Sequence, residues 1–127
     1  MVENAIQTRA GKVWLLDDGI LRQECVPNTE LTLQDAQELI TAHVKLSDGK
    51  PRPVLIYMRG IKSVTREARQ YFGENLTRQY MSVVALLASS AVTKVIGSFF
   101  LRFHKTDSPV KLFGSETEAL KWLKGFL

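Results

Sequence analysis

The sequence predicts a single α/β domain, residues 1–127, with an N-terminal β-hairpin followed by alternating helices and strands in the order ββαβαβαβα around a mixed, mostly parallel sheet. Three observations predict it. Two continuous apolar runs, "PVLIYM" at 53–58 and "MSVVALLA" at 81–88, read as strands covered on both faces. Apolar residues recur at spacings of three and four between and after those runs, as amphipathic helices require. Asp17-Asp18-Gly19 joins two short apolar segments, and Asp-Gly readily takes the positive φ values of a tight hairpin turn.

In order along the chain, "KVWLLD" and "ILRQECV" are the hairpin strands flanking that turn. Thr32 caps the first helix, "TLQDAQELITAHVKL", with Asp35 at the third position in a weakened capping box. Its apolar stripe of Leu33, Ala36, Leu39, Ile40, His43 and Val44 places His43 on the buried side as a hydrogen-bonded core histidine. After "PVLIYM" a short basic turn leads into "REARQYFGENLT", a helix with Ala68, Tyr71, Phe72 and Leu76 on one face and Gly73 inside it. "MSVVALLA" feeds the helix "AVTKVIGSFFLRFHK", whose Val92, Val95, Ile96, Phe99, Phe100 and Phe103 form a broad apolar face expected to fill the core. Gly97 and Leu101 fall about opposite that face; with Lys94 and Arg102 they offer an outer strip for a homodimer contact, or simply an exposed leucine. "PVKLF" is the last strand, and Ser115 with Glu118 sets a capping box for "ETEALKWLKGFL", with Ala119, Leu120, Leu123, Phe126 and Leu127 inward.

Composition excludes several classes. The lone Cys25 cannot form an internal disulfide, which points to a reducing, cytoplasmic setting. The longest apolar stretch is too short to span a bilayer, so no membrane insertion is expected. Charge is uneven: residues 1–50 hold 5 Lys/Arg against 8 Asp/Glu, and residues 51–127 hold 12 against 5. Such polarity builds a basic face suited to an acidic or phosphorylated protein partner, or merely a solvated one. No aromatic-interleaved basic strand argues for nucleic acid. No phosphate-binding, dinucleotide or nucleophile-elbow motif occurs, no base stands at a recognisable spacing from the serines, and no metal-ligand spacing surrounds His43. The sequence therefore predicts no enzyme, cofactor or metal.

The strand order over nearly the whole chain resembles the STAS, or SpoIIAA-like, family of anti-sigma-factor antagonist domains. "SSAVTKVIGSFF" followed by "SPVKLFGSETEALKWL" is similar to uncharacterised bacterial members of that class. The resemblance implies a βα superhelical fold, a non-catalytic role and a regulatory protein partner. Such domains place Asp-Ser at the start of the helix after the central strand, where a kinase phosphorylates the serine. Here an ungapped match sets Thr65-Arg66 at that place and a shifted one sets Ser63, so no phosphoacceptor carries over.

The junction remains the candidate partner site. Thr65 suits an N-cap, while Arg59, Lys62, Arg66 and Arg69 surround it with positive charge. Arg66 in a first turn opposes the helix dipole, a cost that Glu67 can offset, and it belongs either to a docking spot for an acidic or phosphorylated partner or to a solvated basic loop. The alternative function, a carrier of a small hydrophobic ligand or lipid, draws on lipid-binding relatives of the implied fold and assigns Phe99, Phe100 and Phe103 to a pocket.

Overall fold

The computed structural model describes residues 4–76, 78–103 and 106–127. Strands β1 (Asn4–Gln7), β2 (Gly11–Leu15) and β3 (Leu21–Cys25) form an antiparallel meander. The Asp-Gly turn joins β2 to β3 as its composition demands: Gly19 takes φ +79° and Asp18 Oδ1 accepts from the Ile20 N–H at 3.0 Å. Asp18 also holds the buried Arg22 through two bonds of 3.0 and 2.7 Å, so this aspartate serves the turn and its ion pair.

A short strand β4 (Thr29–Leu31) precedes helix α1 (Leu33–Ser47). The capping box is complete, because Thr32 accepts from the Asp35 N–H and Asp35 accepts from the Thr32 N–H. Asp35 also takes both donors of an Arg9 fork, which ties the β1–β2 turn to the helix start. Strand β5 (Arg52–Tyr57) and strand β6 (Ile61–Val64) lead to α2 (Arg66–Asn75), which runs through Gly73 without a break. Strand β7 (Met81–Leu87), α3 (Ala91–Phe103), β8 (Val110–Phe113) and α4 (Glu116–Lys124) complete the chain.

Six strands form one sheet in the order β1-β2-β3-β5-β7-β8, parallel from β3 onward. β4 and β6 form a second, two-stranded parallel sheet. The expected α/β architecture is therefore present, with three short strands (β1, β4 and β6) that the apolar pattern did not announce.

The two continuous apolar runs are central strands, and their period-2 alternation divides them between two cores. Val54, Ile56 and Met58 enter a core shared with Leu39 and Ile40 of α1, Leu76 below α2 and Phe100 of α3. Leu55 and Tyr57 face the other way, into a core closed by Ala119 and Leu123 of α4. Three helices thus cover one face and α4 the other. Three expected inward residues differ: Phe126 and Leu127 lie beyond the end of α4 and are exposed, and Leu33 sits at the solvent-facing start of α1.

His43 is fully buried, with Nε2 2.8 Å from Gln23 Oε1. Because the amide oxygen can only accept, the ring donates from Nε2, and Nδ1 has no partner among the described residues. Burial pushes its pKa down to about 4. His104 lies outside the described residues. No helix among the described residues is long and apolar enough to cross a membrane.

Candidate functional site

The segment after β5 makes a much tighter turn than its basic composition implies. The Ile61 N–H donates to the Met58 carbonyl at 3.1 Å, and Gly60 between them takes φ +89°. A Cβ at Gly60 would stand 2.6 Å from the Cys25 carbonyl oxygen and 2.9 Å from that of Val26, so only glycine fits. The chain then becomes β6 rather than remaining a turn. Hydrogen bonds from Thr29 N–H to the Gly60 carbonyl (2.8 Å) and from Thr65 N–H to the Leu31 carbonyl (2.9 Å) fasten β6 to β4 at both ends.

This placement gives each candidate partner residue a defined position. Thr65 is the N-cap of α2, its Oγ1 accepting from the Ala68 N–H at 3.2 Å. Ser63 projects from β6 and donates to Glu30 at 3.0 Å. Arg59 pairs with Glu24 and lies over the Tyr57 ring at 5.0 Å; the hydrogen bond it donates to Glu24 raises its pKa further. Arg69 donates from Nη1 to the Val64 carbonyl at 2.7 Å and stacks over Phe99 at 4.9 Å. Lys62 and Arg66 are exposed and, among the described residues, have no ion-pair partner.

Helix α3 corrects the expectation of an inward phenylalanine face. Its N-terminus is held by reciprocal bonds between Ser90 and Thr93, at 3.1 and 3.2 Å. Among its described side chains and glycine, Thr93, Gly97 and Phe100 are buried, whereas Val92, Val95 and Phe99 are 59%, 69% and 44% exposed. At about 100° per residue, the packed face is rotated by roughly a quarter turn from the centre of the apolar stripe. The cause is close packing at Gly97, where an added Cβ would meet Leu112 Cδ1 at 2.8 Å and Met58 Sδ at 3.2 Å. The glycine expected on the outer strip is thus the point of nearest approach to the sheet. Leu101 is exposed as expected. Phe103 ends the helix, and its side chain lies outside the described residues.

The rotation brings two separately predicted sets of residues together. Lys62, Ser63, Val64 and Arg69 form one wall of an open groove of about 490 Å³, and Val92, Val95 and Phe99 form the other. Phe100 instead points inward, to an apolar slot of about 70 Å³ that also receives Ile61, Phe72 and Leu76. Val64, Arg69 and Ile96 border both spaces. Val92 and Val95 were missed as surface residues because their spacing matched a core stripe. The pair Thr93 and Gly97, small residues one turn apart, was the available sign of the face that approaches the sheet. Arg59 stands apart, lining a different depression beside Glu24 and Cys25. Among the described residues no three His, Cys, Asp or Glu side chains converge to hold a metal ion.

A sheet covered by three helices on one face and one on the other, entered through a β-meander, matches a SpoIIAA-like fold. The chain is similar to an uncharacterised protein of the DUF3478 family with a SpoIIAA-like fold from Shewanella loihica PV-4, with a TM-score of 0.59 and 18% identity over 94% of this chain and 93% of that one. Residues 13–127 match the domain of unknown function DUF7793, and the chain belongs to that family. A protein of unknown function from Arthrobacter sp. FB24 is 30% identical, over 93% of this chain and 95% of its own, with a TM-score of 0.34. No curated protein matches the chain.

Proposed function

We propose that this protein is a non-enzymatic, cytoplasmic interaction module that docks an acidic segment of a regulatory partner in the groove between β6 and α3. One observation carries the proposal: Val92, Val95 and Phe99 are exposed on a helix directly across from Lys62 and Arg69. Exposed apolar side chains gathered in a concave strip mark interaction surfaces, and a cationic border selects the charge of the occupant. Arg66 at the start of α2 and Lys94 on α3 add to the same sign.

A serine phospho-switch has little support at this junction. Ser63 is engaged by Glu30, and Thr65 spends its hydroxyl on the cap of α2. The Cys25 thiol is buried, and burial pushes its pKa up to about 12, which suits a structural cysteine in a reducing compartment. A lipid carrier finds less support than docking, since the slot lined by Phe100, at about 70 Å³, is far below the ~300 Å³ at which small-molecule sites begin.

The test is site-specific photocrosslinking in the expressing cell, with a photoreactive phenylalanine at Val95 or, as the opposite-face control, at Lys121. The expected result is an adduct from position 95 that Lys62→Glu with Arg66→Glu removes. Equal adducts from both positions, or an adduct indifferent to the charge reversal, would overturn the proposal.

A further inference from the structure

The groove has a deeper compartment whose shape constrains what docks. α2 packs on α1, and α3 packs on β6 and β8, so the two helices flank a gap. The slot fills that gap, walled by Ile61, Val64, Phe72, Leu76, Ile96 and Phe100. Its mouth meets the outer groove at Val64, Arg69 and Ile96. Arg69 Nε is buried there with no hydrogen-bond partner among the described residues, although Nη1 of the same group donates to Val64. Buried donors are nearly always paired, so an orphan beside an apolar slot points to an acceptor that arrives with a ligand.

We infer that the slot seats one aliphatic side chain of the docked acidic segment, with a main-chain carbonyl of that segment accepting from Arg69 Nε. The inference rests on the docking role proposed above and specifies its occupant. Volume sets the anchor: a cavity of about 150 Å³ holds benzene and a water's share is about 30 Å³, so about 70 Å³ takes the end of a Leu, Ile or Val side chain and rejects an indole. Charge sets the flanks, because Lys62 and Arg69 line the groove, Lys94 lines a depression beside it with Val95 and Phe99, and the exposed Arg66 opens the helix that follows β6. The same charge disfavours a second copy of this chain, since a two-fold contact through the groove would oppose these cations to themselves. A central apolar anchor in a pocket with a charged rim is the arrangement that concentrates binding energy in a few residues.

The probe is a phage-displayed library of random twelve-residue peptides, selected in parallel on the wild-type protein, on Val64→Phe and Ile96→Phe, which fill the slot, and on Lys62→Glu with Arg66→Glu. The wild type should enrich peptides with acidic residues flanking a single Leu, Ile or Val. The slot-filled variants should keep the acidic enrichment, lose the aliphatic preference and bind the best wild-type peptide at least tenfold more weakly. That peptide, added to the wild type, should also shift the methyl NMR signals of Leu76 and Ile96, a readout that needs no variant. Acidic peptides without an aliphatic preference, or with unmoved methyl signals, would overturn the slot while leaving acidic docking intact. Loss of the acidic enrichment itself would overturn both. A dimer by light scattering that Val95→Asp breaks would give the groove to a second copy, and would likewise overturn the inference.

Discussion

His43 shows how one buried side chain makes the fold sensitive to pH. Burial disfavours the protonated ring, so between pH 6.5 and about 4 the unfolded chain binds the proton more readily than the folded one. The stability contribution is complete above about pH 6.5 and is lost as pH falls toward 4, amounting to about 3 kcal/mol. Urea unfolding at a series of pH values should show that decline, and His43→Gln should flatten it even if the variant is less stable throughout. An unchanged slope in the variant would assign the effect elsewhere. Below this window Asp18 takes over, because its hydrogen bonds to Arg22 hold its pKa below the ordinary carboxylate value. Both the burial of His43 and the N-cap role of Thr65 were legible in the sequence, since each follows from position within one helix. The partner of His43 was not, because Gln23 comes from a strand twenty residues earlier and a polar residue in a hairpin carries no sign of the face it will occupy.

At the scale of elements, the informative case is α3. Apolar periodicity gives the existence of a helix but leaves open which part of a wide stripe meets the sheet. Packing at Gly97 decides that question, and it turns Val92, Val95 and Phe99 outward. Replacement of Gly97 by Leu should therefore overpack the contact with Leu112 and Met58, costing about 1–3 kcal/mol in chemical denaturation. Val95→Gln, at the centre of the sequence stripe, should change stability by no more than about 0.5 kcal/mol. The reverse ranking would restore the inward phenylalanine face. β6 escaped notice for a related reason: "IKSV" is four residues long, mixed in polarity and paired with a three-residue strand in a separate sheet. Strands of that length rely on tertiary hydrogen bonds rather than on a pattern of their own.

For the molecule as a whole, the central sheet separates two cores, and this sets the core under α4 apart from the proposed docking groove. Leu123 is completely buried against the strand residues Leu55, Val83 and Ala85 on the face away from the groove. Leu123→Ala should lower the unfolding free energy by about 2–5 kcal/mol. Below its melting transition the folded variant should still bind the selected acidic peptides within about twofold of wild type, as expected for sites that share no partners. A larger loss would mean that the two faces are coupled through the sheet. The layered α/β plan was legible because continuous apolar runs and helical spacing report burial locally. The groove was legible only as two unrelated fragments, since the sequence holds no term for the distance between β6 and α3.

The pairing of β6 with β4 makes the proposed docking groove depend on distant parts of the chain. One wall of the groove is fastened to Thr29 and Leu31, upstream of the α1 crossover, and the other is built from residues up to Phe99. A chain that stops before α3, or a product cleaved between these segments, lacks one wall of the proposed docking groove. In the proposed role, a partner that recognises the groove would therefore distinguish chains in which residues 29–99 are folded together from shorter pieces, without any separate proofreading step.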